Sequence, residues 1–318
     1  MRSLIESGEI NSELKELILS KKCIVFIGSG LSHSVYDPWP KLVNKICERC
    51  GIEPCVKYNS KADELIDAAQ RAKLANRDAY FSYLGEHFGR SVADAPLIYD
   101  ALLSLNFKCY LTTNFDPLLA IKARTAKLSC HLPPYAYPAL DRVNMAKRSI
   151  HYLHGLIGQK QIPVEGQIVL SRDEFDEAYK DNSNLKSLLL QTLDNENILF
   201  IGCSLNEPDI ENVFKIFKEH QQELKRFMER RGIPNQSSHY RFILLPKSEI
   251  YVDGNLDEIQ SKADMEYQKA YYKNMEIETI WYDAYGGDHT ALISTLEQIA
   301  GLPPITADYS GQGGTNVT

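Results

Sequence analysis

Short apolar runs bounded by Gly, Asn or Pro recur along the chain: Cys23 to Ile27, Cys109 to Thr113, Ile150 to Leu153, Ile198 to Ile201, Tyr240 to Leu245 and Ile277 to Tyr282. A strand with one solvated face would alternate apolar and polar residues, whereas these runs are apolar throughout, as in strands buried on both faces. Amphipathic stretches of helical spacing lie between them. This alternation predicts an α/β fold, a Rossmann-like, doubly wound, mostly parallel six-stranded sheet.

One helix is expected from Asn11 to Ser20. Another spans Lys41 to Cys50, where Leu42, Val43 and Ile46 share a face and Pro40 suits the first turn. From about Ile52 to Leu105 the composition is helical without a strand-like run, so a helical insertion over one edge of the sheet is expected. The segment LPPYAYP, from Leu132 to Pro138, reads as an irregular loop, because its prolines suit neither a helix interior nor a central strand. Pro208 and Asp209 open a further helix with Ile210, Val213, Phe214 and Phe217 on one face and Gly232 to end it. Residues 1–300 are expected to form one domain, and 301–318, rich in Gly and Thr, a flexible tail or linker.

Composition narrows the function. With 44% hydrophobic and 24% charged residues, the chain can bury a core and is too apolar for general disorder. Thirty-five Lys and Arg against 42 Asp and Glu give a net charge of −7, which leaves no basic excess for a nucleic-acid backbone. The basic stretch from Lys225 to Arg231 reads as a solvated helix face. Charges fall in every turn of MRSLIESGEINSELKELILS, and no run of about 18 apolar residues follows, so a cytoplasmic protein without membrane attachment is expected. The seven cysteines form an odd set, three of them in or beside strand-like runs, where reduced Cys packs as a small hydrophobe. Cys47-x2-Cys50 with Cys55 lacks a second pair at zinc-ribbon spacing, so no metal is expected.

In open α/β sheets ligands bind beyond the C-terminal strand ends, which directs attention to the residues just after each run. Gly28-Ser29-Gly30-Leu31-Ser32 follows the first. Its glycines permit either a plain strand-to-helix turn or a close approach of backbone N–H groups to a diphosphate. An ordinary dehydrogenase is disfavoured, since His33 stands where the dinucleotide fingerprint needs its third glycine and no acidic strand end follows at the usual distance. Thr112-Thr113-Asn114-Phe115-Asp116 places an amide and a carboxylate at a second strand end, where they either face the crevice or cap the helix begun by Pro117. His154-Gly155 and Gly202-Cys203-Ser204 close two further runs. His151 is expected to be a satisfied structural histidine.

Together the segments GSGLS, TTNFD, HG and GCS, in this order, resemble the sirtuin superfamily, with its G-A-G-x-S loop, T-x-N-x-D segment, H-G pair and G-x-S loop. The likeness is greatest to bacterial sirtuin-like domains of anti-phage defence, through Trp39 with Leu42, TTNFD and the Glu207-Pro208 step, and it runs from about Cys23 to Ala300. It implies that Gly28, Ser29, Gly30 and Ser32 hold the diphosphate of NAD+, and that Gly202 and Ser204 bind its adenosine side. Asn114 would contact the nicotinamide ribose and position water, Asp116 would recognise the carboxamide, and His154 would act as general base. The zinc cysteines of protein-deacylating sirtuins are missing, and Val35 to Pro40 replaces their G-I-P-D-F-R stretch. NAD+ hydrolysis to nicotinamide and ADP-ribose is therefore the implied reaction. Deacylation or ADP-ribosyl transfer, and nucleotide sensing without turnover, are the alternatives. The resemblance also implies a homo-oligomer or a complex with a defence partner such as an ATPase, an Argonaute or a sensor protein.

Overall fold

A computed structural model describes residues 12–301 apart from 55, 93–94, 106, 127–131, 141–147, 233–238, 253–254 and 285–289. Cys55, Cys130 and the expected tail from residue 302 onward lie outside the described residues.

The strands are β1 (Cys23–Ile27), β2 (Tyr110–Thr112), β3 (Pro134–Ala136), β4 (Ile150–Tyr152), β5 (Asn197–Ile201), β6 (Arg241–Pro246), β7 (Tyr251–Val252), β8 (Asn255–Leu256) and β9 (Glu278–Tyr282). The helices are α1 (Ser12–Leu19), α2 (Trp39–Arg49), α3 (Ala62–Ala75), α4 (Arg77–Phe88), α5 (Ile98–Ser104), α6 (Leu118–Thr125), α7 (Arg172–Tyr179), α8 (Asn184–Asn195), α9 (Pro208–Arg231), α10 (Glu258–Asn274) and α11 (Thr290–Ala300). Seven strands form one sheet in the order β3-β4-β2-β1-β5-β6-β9, and every neighbouring pair is parallel. β7 and β8 make a separate antiparallel ribbon.

The α/β, Rossmann-like expectation holds, with one strand more than the apolar runs predict. The extra strand is β3, inside the segment read as an irregular loop, and it corrects that reading. Pro134 is its first residue and the strand sits at the sheet edge, where a residue without an N–H costs no ladder bond. The Pro133 carbonyl still accepts from Ile150 N at 3.1 Å, and Tyr137 N donates to the Tyr152 carbonyl at 2.9 Å.

β1 lies at the centre and is buried throughout. Its side chains alternate between the two faces with the period of a strand. Cys23, Val25 and Ile27 join the core formed with α1, α2, α5, α6 and α11, whereas Ile24 and Phe26 join the core formed with α7, α8 and α9. Burial pushes the thiols of Cys23 and Cys109 up, so both are inert packing groups. Cys47 and Cys50 are likewise buried, and their thiols point to the carbonyls of Ala68 and Asn76.

Between α2 and β2 the described chain is helical. Helices α3 and α4 are joined to α7 by a buried charge cluster in which Lys73 Nζ lies 2.9 Å from Asp173 and 2.9 Å from Glu174. The other Glu174 oxygen accepts from Leu170 N, Ser171 N and the Tyr80 hydroxyl. Ser171 and Glu174 form a capping box, so the cluster also fixes the first turn of α7. Among the described residues no helix is long and apolar enough to cross a membrane.

Candidate functional site

The strand ends singled out in the sequence converge. β1 and β5 are neighbours, and the chain leaves them towards opposite halves of the sheet, which makes their C-terminal ends a topological switch point. After β1, Ser29–Ser32 forms a single 3-10 turn. This turn lies directly against the loop after β5: Gly28 N donates to the Ile201 carbonyl at 2.9 Å, and Gly30 N to the Gly202 carbonyl at 2.8 Å. A Cβ on Gly28 would fall 2.3 Å from the Gly202 oxygen, and one on Gly30 would fall 2.8 Å from it. Gly202 has φ +68°, and a side chain there would meet Leu31. Packing of the two loops alone thus demands the three glycines, and the Gly30 amide is already taken within the fold.

A cleft opens above these loops. Ser29, Ser32, Asn114, Asp116 and His154 all line it. Asn114, Asp116 and His154 are 7%, 3% and 4% exposed, although each carries polar atoms. Asn114 Nδ2 donates to the Gly28 carbonyl at 3.3 Å, which ties the end of β2 to the end of β1. Its Oδ1 is buried and has no hydrogen-bond partner in the protein. Such an oxygen costs about 1–3 kcal/mol unless something else donates to it. From the position before Pro117, the N-cap of α6, Asp116 accepts from Leu118 N at 3.1 Å, and its carboxyl also faces the cleft. Burial pushes that carboxyl up to about 6, with the Leu118 N–H, Ser32 and Asn114 working in the opposite direction. Burial alone pushes His154 down to about 3, so its imidazole is neutral at physiological pH. Gly155, at φ +101°, brings its backbone so close to the Gln167 carbonyl that a Cβ would sit 2.2 Å away.

Ser204 lies apart from the cleft wall. It is exposed, its hydroxyl bonds Asn206 at 2.6 Å, and its carbonyl accepts from the Tyr272 hydroxyl. His151 is buried with Nε2 2.9 Å from the Ser149 hydroxyl, which fits the structural role expected of it.

Sequence reasoning did not assign the other walls. Tyr36, Phe88 and Phe115 form an aromatic side, with ring centroids 5.2 Å and 5.5 Å apart at Phe88. Asp37 lies beside them. Burial pushes its carboxyl up, but Lys41 and Lys45 outweigh that and hold it below the usual range. Trp39 also lines the cleft, and its indole Nε1 is buried without a partner. Phe175, from α7, and Glu207, from the loop after β5, complete the wall near His154. The capping box that begins α7 and the four-residue spacing of Phe175 and Tyr179 were visible signals for that wall.

The chain belongs to the SIR2-like domain family, whose model matches residues 108–280, just over half of its length. A solved structure described as "Structural Basis for the Mechanism and Regulation of Sir2 Enzymes" is similar at a TM-score of 0.41 and 12% identity, covering 91% of this chain and 95% of that one. No curated protein matches. Family membership points to NAD-dependent activity in general.

Proposed function

We propose that the protein cleaves NAD+ at the bond between nicotinamide and ribose and passes the ADP-ribosyl group to water. The observation that carries this reading is the meeting of Asn114, Asp116 and His154 in one cleft above the Gly28–Ser32 turn, with Asn114 Oδ1 buried and unpartnered. A bound ribose hydroxyl or a water molecule would satisfy that oxygen.

In the reaction the C1′–N bond breaks and its electron pair leaves with the nicotinamide ring, neutralising the ring's positive charge. The ribose becomes oxocarbenium-like. Water positioned by Asn114 attacks C1′, and its proton passes to the neutral imidazole of His154 and then to solvent. Asp116 accepts from the carboxamide N–H2 and orients the leaving group. Ser29 and Ser32 offer hydroxyls beside the first loop for the diphosphate, with Gly28 and Gly30 shaping the backbone there. Gly202 and Ser204 would serve the adenosine side, beyond the residues that line the cleft. In a cell under phage attack such turnover would deplete NAD+, alone or with an oligomeric or defence partner.

Purified protein incubated with NAD+ is expected to release nicotinamide and free ADP-ribose in equal amounts. Asn114→Ala and His154→Ala should each lower the rate on the order of 10²-fold or more. Undiminished turnover in both variants would sink the mechanism. ADP-ribose bound to protein, or release only with an acyl-lysine peptide, would replace water as the acceptor.

A further inference from the structure

His154 has a partner on its far side that the cleavage reading leaves unused. Its Nε2 lies 2.7 Å from the hydroxyl of Tyr179, the last residue of α7. Tyr179 is buried and stacks on Phe175 at 5.8 Å with an interplanar angle of 13°. Phe175 in turn meets the imidazole edge-on at 5.2 Å. His154 and Phe175 line the cleft, and Tyr179 approaches the imidazole from behind that wall. The backbone is held too, since the His154 carbonyl accepts from Val169 N at 2.9 Å. The far end of this support is the Lys73 cluster, which fixes Leu170, Ser171 and the first turn of α7.

A neutral imidazole has one N–H and one lone pair, and the partner of one nitrogen decides which the other offers. We propose that Tyr179 is a positioning residue: it accepts a hydrogen bond from Nε2–H of His154, so that the Nδ1 lone pair is the one presented to the cleft. The phenolic hydrogen must then point away from Nε2. A base that faces the cleft needs its lone pair there, which leaves the proton on Nε2 and makes the Tyr179 oxygen its acceptor. The hydroxyl thus does the orienting that a carboxylate does in a serine-hydrolase triad. This assignment rests on the cleavage reading, and the tautomer is measured independently of turnover.

The test is nitrogen NMR on the full chain labelled with 15N-histidine, with His154→Gln used to assign the resonances. Wild type is expected to show a pyrrole-type Nε2 and a pyridine-type Nδ1 at neutral pH. Tyr179→Phe keeps the ring stack; it should let both tautomers exchange and lower kcat for NAD+ cleavage on the order of 10-fold with little change in KM. A wild-type Nδ1–H tautomer, or an unchanged balance in Tyr179→Phe, would overturn the proposal. So would faster turnover in Tyr179→Phe, the mark of a hydroxyl that blocks the base. If wild type fails to cleave NAD+ both alone and with candidate partners, the cleavage reading falls, and the tautomer measurement still decides the role of Tyr179.

Discussion

The two sides of the cleft are held by different means. The floor is backbone against backbone, where Gly28 and Gly30 meet Gly202 with no room for a side chain. The wall behind His154 is built from side chains brought together over long sequence distances, from Lys73 through Glu174 to Phe175 and Tyr179. A floor of this kind should fail abruptly when an atom is added. A wall of this kind should weaken by degrees and be open to repair.

Three measurements test that contrast. Gly28→Ala places a Cβ 2.3 Å from a carbonyl oxygen that cannot swing aside, and the expected loss is on the order of 4–5 kcal/mol, leaving little folded protein. Denaturant unfolding would show it, and a near-wild-type midpoint would mean that the loops separate easily. Lys73→Met leaves Glu174 buried without its cation and should cost about 3 kcal/mol. Adding Glu174→Gln should recover most of that loss, because the amide still accepts from Leu170 N and Ser171 N. No recovery in the double variant would place the wall with the floor.

The smallest effect, counted per pH unit, is acid sensitivity. Burial pushes His154 down to about 3 and His87 down to about 4, from 6.5. The unfolded chain takes up those protons below pH 6.5 and the folded chain does not, so stability falls with acid by about 1.4 kcal/mol per histidine per pH unit. Asp116, pushed up to about 6, acts in the opposite sense between about pH 6 and 4 and offsets one of the two. The melting temperature should therefore decline below pH 6.5, and less steeply in His154→Gln. An equal slope in that variant would show that His154 is more solvated than its burial implies.

The floor was legible in the sequence and most of the wall was not. Gly28, Gly30, Asn114 and His154 sit within a few residues of apolar runs, and a parallel sheet brings all such positions to one edge. No comparable rule brings residue 73 to residue 174, or Tyr36 to Phe88, because those contacts depend on how helices dock on the sheet. The missed strand has the same origin. Pro134 is a poor strand residue in general and a tolerable one at an edge, and edge position is a property of the assembled sheet.

The place of β1 bears on how the molecule is made. It leaves the ribosome long before its two neighbours, β2 and β5, yet among the described residues it is the strand that joins the β3-β4-β2 half of the sheet to the β5-β6-β9 half. A piece starting at residue 108, where the family match begins, would carry six of the seven strands and have a missing keel. Its halves would present two open parallel edges at the position where the cleft belongs. Supplying residues 12–107 as a separate chain would then be a test of complementation, with nicotinamide release reporting whether the split protein can find its centre again.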